Sequence, residues 1–194
     1  MHAQASAMVP TSLSHPIRVY PISVRNGLIG LTFCPGKRGR SVRGGPWERD
    51  LDTDLSALRD WGASLVLTLI ERHEFDLLGV PDLGERVVTH GMNWAHLPIR
   101  DVDVPASPFE SGWPDVRDDL ISRLEEGERI VVHCRGGLGR AGLVSALILI
   151  ETDVPAEAAI RTVREARPGA IETCAQESYV RAYAASATAA RRQI

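Results

Sequence analysis

One segment carries residue types that could do covalent chemistry: His133-Cys134-Arg135-Gly136-Gly137-Leu138-Gly139-Arg140-Ala141-Gly142. Arg140 follows Cys134 by six residues. A thiolate is a strong nucleophile, and a guanidinium fork can hold two phosphoryl oxygens together, which a lysine cannot. Between them lie Arg135, Gly136, Gly137, Leu138 and Gly139, whose backbone N–H groups can turn inward as a cradle for an anion. The three glycines let such a loop curl without Cβ clashes. The cradle suits phosphate, sulfate or vanadate, and it favours Cys134 as the thiolate near neutral pH. Thiolate, N–H ring and arginine fork together suit attack on phosphorus.

Cys-x5-Arg alone is a weak signal, and the flanking elements make it stronger. Arg129 to His133, with Ile130, Val131 and Val132, reads as a buried strand. It delivers Cys134 at its C-terminal end, where open α/β sheets bind ligands. An apolar helix from about Arg140 to Glu151 adds its positive end to the cradle. The bland alternative is a buried Cys beside a glycine turn, with Arg140 solvated.

Further strands are expected over 28–33, 64–70 and 93–99. Leu51, Leu55, Leu58 and Trp61 fall at helical spacing, with Gly62 as a stop. Short helices are expected over 74–78 and 83–90. Residues 34–46 and 100–112 read as loops, the first rich in glycine and basic from Lys37 to Arg43. That basic loop reads as solvated or as a contact for a phosphorylated partner. Trp113, Val116, Leu120 and Leu124 mark a helix that Gly127 ends. Pro155 opens another helix to about Ala166, and a last one runs from about Thr173 into an exposed alanine-rich tail, 182–190. Alternating strands and helices give the α/β class: a single domain with a central, mostly parallel sheet flanked by helices. Residues 1–25 read as a flexible arm and 26–194 as the folded domain.

Bulk properties narrow the partners. The net charge of −3 supplies no basic excess for nucleic acid. The apolar run Leu143–Ile150 is too short to span a bilayer, and no secretory signal is visible. Cys34, Cys134 and Cys174 are widely spaced, which points away from a disulfide framework or a zinc site. A monomer in the reducing cytoplasm is the expectation, with a reduced thiol at Cys134 and no metal or organic cofactor. Cys34 and Cys174 read as ordinary reduced cysteines.

The Cys134 loop resembles the signature of the protein tyrosine and dual-specificity phosphatases. Within that superfamily the likeness points to the cyclin-dependent kinase inhibitor 3, or kinase-associated phosphatase, group. It rests on Gly30-Leu31, Pro35-Gly36, Pro98-Ile99-Arg100-Asp101, the Gly-Gly-Leu-Gly-Arg loop, and Gly169-Ala170-Ile171-Glu172-Thr173 with Gln176, and it covers about 28–183. The resemblance implies the dual-specificity phosphatase fold and hydrolysis of phosphate monoesters through a phosphocysteine intermediate. The implied substrates are phosphotyrosine and/or phosphoserine/threonine in proteins. A phosphate-binding module with weak turnover, and a phosphatase of small molecules such as an inositol phosphate, stay open. A rhodanese-like sulfur carrier fits poorly with Arg140, the apolar helix and the upstream Asp loop.

The leaving group needs a proton. Asp101, Asp103 and Asp115 compete, lying 33, 31 and 19 residues before Cys134. Trp113-Pro114-Asp115 copies the acid-loop tripeptide of tyrosine phosphatases. However, Pro114 suits a first helical position, and Asp115 then sits in a first turn, where a carboxylate favours the helix dipole. The resembling family places its acid roughly thirty residues before the Cys, after a Pro-Ile strand end. Asp101 therefore ranks first, Asp103 second and Asp115 third. His133 reads as a loop-shaping residue or as a core histidine, Arg135 as a reader of acidic surfaces or as a solvated charge. Gln176 lies where the family can place a glutamine near the attacking water, or else is an exposed helix-start residue. Ala141 departs from the family's Ser or Thr, whose hydroxyl helps the thiolate leave, so a slow second step is expected.

Overall fold

The computed structural model describes residues 9–40 and 46–191. The chain runs through β1 (Tyr20–Val24), β2 (Gly27–Phe33), β3 (Arg38–Arg40), β4 (Pro46–Glu48), α1 (Leu51–Asp60), β5 (Ala63–Thr68) and α2 (Arg72–Leu77). It continues through α3 (Leu83–Thr89), β6 (Asn93–His96), α4 (Ser107–Glu125), β7 (Arg129–Cys134), α5 (Gly139–Glu151), α6 (Ala156–Ala166) and α7 (Cys174–Arg191). Five strands form one sheet in the order β1-β2-β7-β5-β6, antiparallel only at the β1 edge. This is the expected α/β class with a mostly parallel sheet.

Strand alternation sets the two faces of β7. Ile130, Val132 and Cys134 join the large core under α4, α5, α6 and α7. Val131 points the other way, into a second core with Leu55, Leu58, Val66 and Leu83. Buried on both faces, β7 is the central strand, and its C-terminal end carries the nucleophile candidate. Every residue of α5 from Gly139 to Ile150 is buried. An apolar run with no polar face can only be an interior helix. α5 is therefore packed on all sides, with its N-terminus at the loop that follows Cys134.

Several expectations need correction. Residues 20–24 are not a loose arm but the edge strand β1, with Pro21 opposite Gly30. Proline has no N–H for a ladder on both sides, so only an edge accepts it. The segment before it is also tied down. Ser12 Oγ donates to the Asp50 carbonyl at 3.2 Å, Glu48 N–H to the Pro10 carbonyl at 3.1 Å, and Arg49 Nη1 to the His15 carbonyl at 2.7 Å. Residues 1–8, and Arg43 of the basic loop, lie outside the described residues. The described flanks of that loop pair as β3 and β4.

α4 starts at Ser107, six residues before Trp113, with Pro108 in its first turn. Pro114 is thus inside the helix and Asp115 two turns from its start, so the first-turn argument for Asp115 does not hold. Proline at the head of a helix is a start signal that reads as a loop when several prolines cluster. The ring of Phe109 stacks on Trp113 at 5.2 Å and fixes the early start. Trp113 Nε1 donates to Tyr183 Oη at 2.8 Å, so the alanine-rich end of α7 has an inner face: Tyr183, Ala184 and Ala187 pack on the core.

Candidate active site

Cys134 ends β7 at 3 % exposure, with Phe33 of β2 as its neighbour across the ladder. The loop after it uses its glycines differently. Gly137 sits at φ 67, and a Cβ there would lie 2.4 Å from the Thr32 backbone. Gly139 is a close approach: a Cβ would meet Glu172 Oε2 at 2.7 Å and Gln176 Nε2 at 2.9 Å. Gly136 faces open space. The N–H groups of Arg135, Gly136, Gly137 and Leu138 donate to no protein group among the described residues. The Gly139 N–H differs from its expected role, because it already donates to Glu172 Oε2 at 2.9 Å.

Arg140 lies in the first turn of α5 and is 1 % exposed. Its Nη1 donates to Glu74 Oε2 at 2.5 Å and to the Ile99 carbonyl at 3.0 Å. Nη2 donates to Glu74 Oε1 at 3.0 Å and to Asp101 Oδ1 at 2.7 Å. Burial pulls the guanidinium down, and the Glu74 bond with the charges of Cys134, Glu74 and Asp101 outweighs it, so Arg140 is held charged more firmly than usual. Burial likewise pushes Glu74 up, and the Arg140 bond and charge pull it below the ordinary carboxylate range. A two-point clamp of this kind aims a guanidinium as well as stabilising it.

Glu74 escaped the sequence reading. Its signal was there: it stands just past the C-terminal end of β5, in a capping box with Glu71, beside the end of the central strand. Its partner is 66 residues away, which no local pattern reveals. Glu172 belongs to the 169–173 segment that carries the family resemblance, and its carboxylate reaches the loop.

The competing aspartates are now separated. The chain after β6 keeps bonding to β5, Leu97 N–H to the Thr68 carbonyl and Ile99 N–H to the Leu69 carbonyl, both at 3.0 Å. That run brings Asp101 to the loop, its side chain 42 % exposed on the cavity side, 2.7 Å from Arg140 and 3.8 Å from Arg135. Asp103 turns its carboxylate to the Val104 N–H instead. Asp115 is exposed on α4, away from these contacts. Val102, between the two loop aspartates, sits at φ 62, and Ile171, before Glu172, at φ 58. A β-branched residue in the left-handed region stores about 1–3 kcal/mol of strain. Both strained positions adjoin carboxylates that touch the loop or its arginine.

The supporting residues are buried. His133 is fully buried, with Nε2 2.8 Å from Thr68 Oγ1, which also accepts from Trp94 Nε1 at 2.9 Å. Burial drives His133 down to about 3, so the ring is neutral. Gln176 is fully buried, not an exposed helix-start residue. Its Nε2 donates to the Asp103 carbonyl at 3.0 Å, and its Oε1 accepts the Glu172 N–H at 3.0 Å. It thereby braces the aspartate loop against the segment that holds the cradle. Cys34 is fully buried, and burial pushes its thiol well up.

Residues 48–180 match a family model described as the phosphatase domain, DSP-PTPase, of Swiss Army Knife proteins. Cyclin-dependent kinase inhibitor 3 of Mus musculus is 30% identical over 154 residues, covering 78% of this chain and 69% of that protein. Protein tyrosine phosphatase type IVA 3 of Bos taurus is 39% identical over 85 residues, 39% of this chain and 49% of that one. Among solved structures, kinase associated phosphatase with its catalytic-site cysteine replaced by serine superposes with a TM-score of 0.78. It is 26% identical, over 88% of this chain and 96% of that one.

Proposed function

The chain belongs to the DSP-PTPase family of phosphatase domains, and from that premise we propose that Cys134, Arg140 and Asp101 hydrolyse phosphate monoesters through a phosphocysteine intermediate. The single observation that carries these roles is the aim of Arg140. It is gripped from behind by Glu74 and touches Asp101 in front, at the head of the helix that follows Cys134.

A phosphate dianion enters the cradle on the free N–H groups of Arg135, Gly136, Gly137 and Leu138. Its oxygens take over the Arg140 Nη2 contact that Asp101 holds, and Glu74 keeps the fork in place. Asp101 is thereby freed to carry a proton to the leaving oxygen. Cys134 Sγ attacks phosphorus, the bond to the leaving oxygen breaks, and that oxygen takes the Asp101 proton. Water then attacks the phosphocysteine, gives its proton to Asp101, and the Cys134 thiolate leaves. Arg140, held by Glu74, and the loop N–H groups supply a fixed positive field, so negative charge in the transition state meets donors already in position. Gln176 supports the second step by holding the aspartate loop.

The substrates of this reading are phosphotyrosine and/or phosphoserine/threonine in proteins, in line with relatives named as tyrosine phosphatase and kinase associated phosphatase. The reading takes the protein to act as a monomer. A nucleophile that must stay reduced suits the cytoplasm. None of the described helices is long and apolar enough to cross a membrane.

Release of nitrophenol from 4-nitrophenyl phosphate tests the reading, with Cys134→Ser as control and vanadate as inhibitor. Vanadate-sensitive release that is absent from Cys134→Ser is expected. Release at the control rate would contradict it. A second reading, a phosphate-binding module with weak turnover, is favoured by Ala141 and by the Glu172 carboxylate on the Gly139 N–H. Tight phosphate binding without release supports that one instead.

A further inference from the structure

The cavity beside the cradle carries more cationic character than one phosphate uses. It measures about 570 Å³, the size of a small-molecule site, and Phe33, Lys37, Trp47, Asp101, Arg135 and Arg167 line it. Phe33 is the ladder neighbour of Cys134, so this wall begins next to the nucleophile. Lys37 Nζ lies 4.4 Å from the centre of the Phe33 ring and 5.0 Å from that of Trp47. No carboxylate among the described residues pairs with it. The two carboxylates lining the cavity are engaged elsewhere, Asp101 by Arg140 and Glu172 by the Gly139 N–H.

Two arginines add to this wall. Arg38 donates through Nε to the Arg49 carbonyl at 3.1 Å, and Arg167 through Nε to the Gly137 carbonyl at 3.4 Å, with the Arg167 guanidinium 4.2 Å from the centre of the Tyr20 ring. Their Nη groups make no hydrogen bond or ion pair among the described residues. Burial is the main cause that pulls Lys37 from 10.5 down to about 8. A desolvated ammonium without a counter-ion is stabilised by any anion that reaches it. The phosphate in the cradle is already matched by Arg140 and the loop N–H groups. A second anion in the cavity would meet Lys37 directly, beside the Phe33 and Trp47 rings that Lys37 and Arg49 lie over.

Resting on the phosphatase reading above, we propose that this cavity is a second anion subsite, centred on Lys37, for a phosphate carried by the leaving group of the substrate. The substrate class is a bisphosphate: one phosphate in the cradle on Cys134, the other on Lys37. A small bisphosphorylated molecule and a peptide with phosphates on neighbouring residues both offer this pair, and separate assays distinguish them.

Initial phosphate release from phenyl phosphate and from 1,4-phenylene bisphosphate, counted per phosphate group, gives a preference ratio in kcat/KM. Singly and doubly phosphorylated versions of one peptide, counted the same way, give a second ratio. At least one ratio is expected to reach about tenfold, the size of a charge-assisted contact. Lys37→Met should return it to near unity, and Lys37→Arg should keep most of it. Ratios near one in the native protein, or a preference that survives Lys37→Met, overturn the proposal. The same ratios are read as binding affinities by calorimetry on Cys134→Ser, with and without Lys37→Met. If no substrate is hydrolysed, the phosphatase reading fails, and the calorimetric ratio still decides the subsite on its own.

Discussion

Among the described residues, two arginines are buried against carboxylates, and they do different work. Arg49 is closed off: Nε and Nη2 bond both oxygens of Asp54 at 2.7 Å, and Nη1 bonds the His15 carbonyl. Its partner is five residues away, and both side chains are almost fully buried. Arg140 is bonded as fully to Glu74, but one of its contacts, Asp101, is 42 % exposed and faces the cavity. A buried bidentate ion pair is therefore not a mark of catalysis. The mark is a pair whose last contact can be exchanged for a ligand, beside a nucleophile. Arg49 holds the entry of α1 to the N-terminal segment, and Arg140 is held so that it can hold something else.

That contrast can be broken by substitution. Arg140→Lys keeps a charge but loses the fork, and kcat/KM for 4-nitrophenyl phosphate should fall about 10³-fold. Arg49→Met leaves Asp54 buried and unpaired, so urea unfolding should show a loss of about 3–5 kcal/mol, with kcat of the folded fraction little changed. If Arg49→Met abolished turnover in folded protein, or Arg140→Lys only lowered stability, the distinction would be wrong. Asp101→Asn should lower kcat about 10²-fold, while Asp115→Asn leaves it within about twofold. The reverse result would return the acid to the tripeptide on α4.

His133, buried next to the nucleophile, ties stability to pH. Its folded value of about 3 lies below the ordinary 6.5. Between those values the unfolded chain takes up a proton that the folded chain refuses. Stability therefore falls as pH drops below about 6.5, by about 2 kcal/mol between pH 6.5 and 5 from this residue alone. Urea titrations at pH 7 and 5 should show that fall in the native protein and a smaller one in His133→Gln. Equal falls would mean that His133 is not buried neutral. The smallest effect is at Ala141, where Ala141→Ser should speed turnover a few-fold by assisting thiolate departure. No gain would show that the second step is not limited there.

The strand–loop–helix unit from Arg129 to Glu151 was legible in the sequence because everything it needs is local. The apolar run of β7, the glycines and the all-apolar α5 are contiguous. β1 was not legible, since Pro21 reads as a break until an edge is known to receive it. The start of α4 was hidden in a stretch where Pro105 and Pro108 read as loop. Glu74, Glu172 and the brace made by Gln176 were illegible as a site for another reason. Their partners lie 66, 33 and 73 residues away, and only the topology brings them to the end of β7. Asp101 was reached in the sequence through resemblance, and its contact with Arg140 became visible only in three dimensions.

The most direct test of the central role of Cys134 is a rapid-quench experiment with 4-nitrophenyl phosphate, followed by mass spectrometry of the Cys134 peptide. A burst of about one nitrophenol per chain is expected, with one phosphoryl group on Cys134 and none in Cys134→Ser. Sustained turnover in Cys134→Ser, or turnover by the native protein with no phosphoryl group ever found on Cys134, would contradict it.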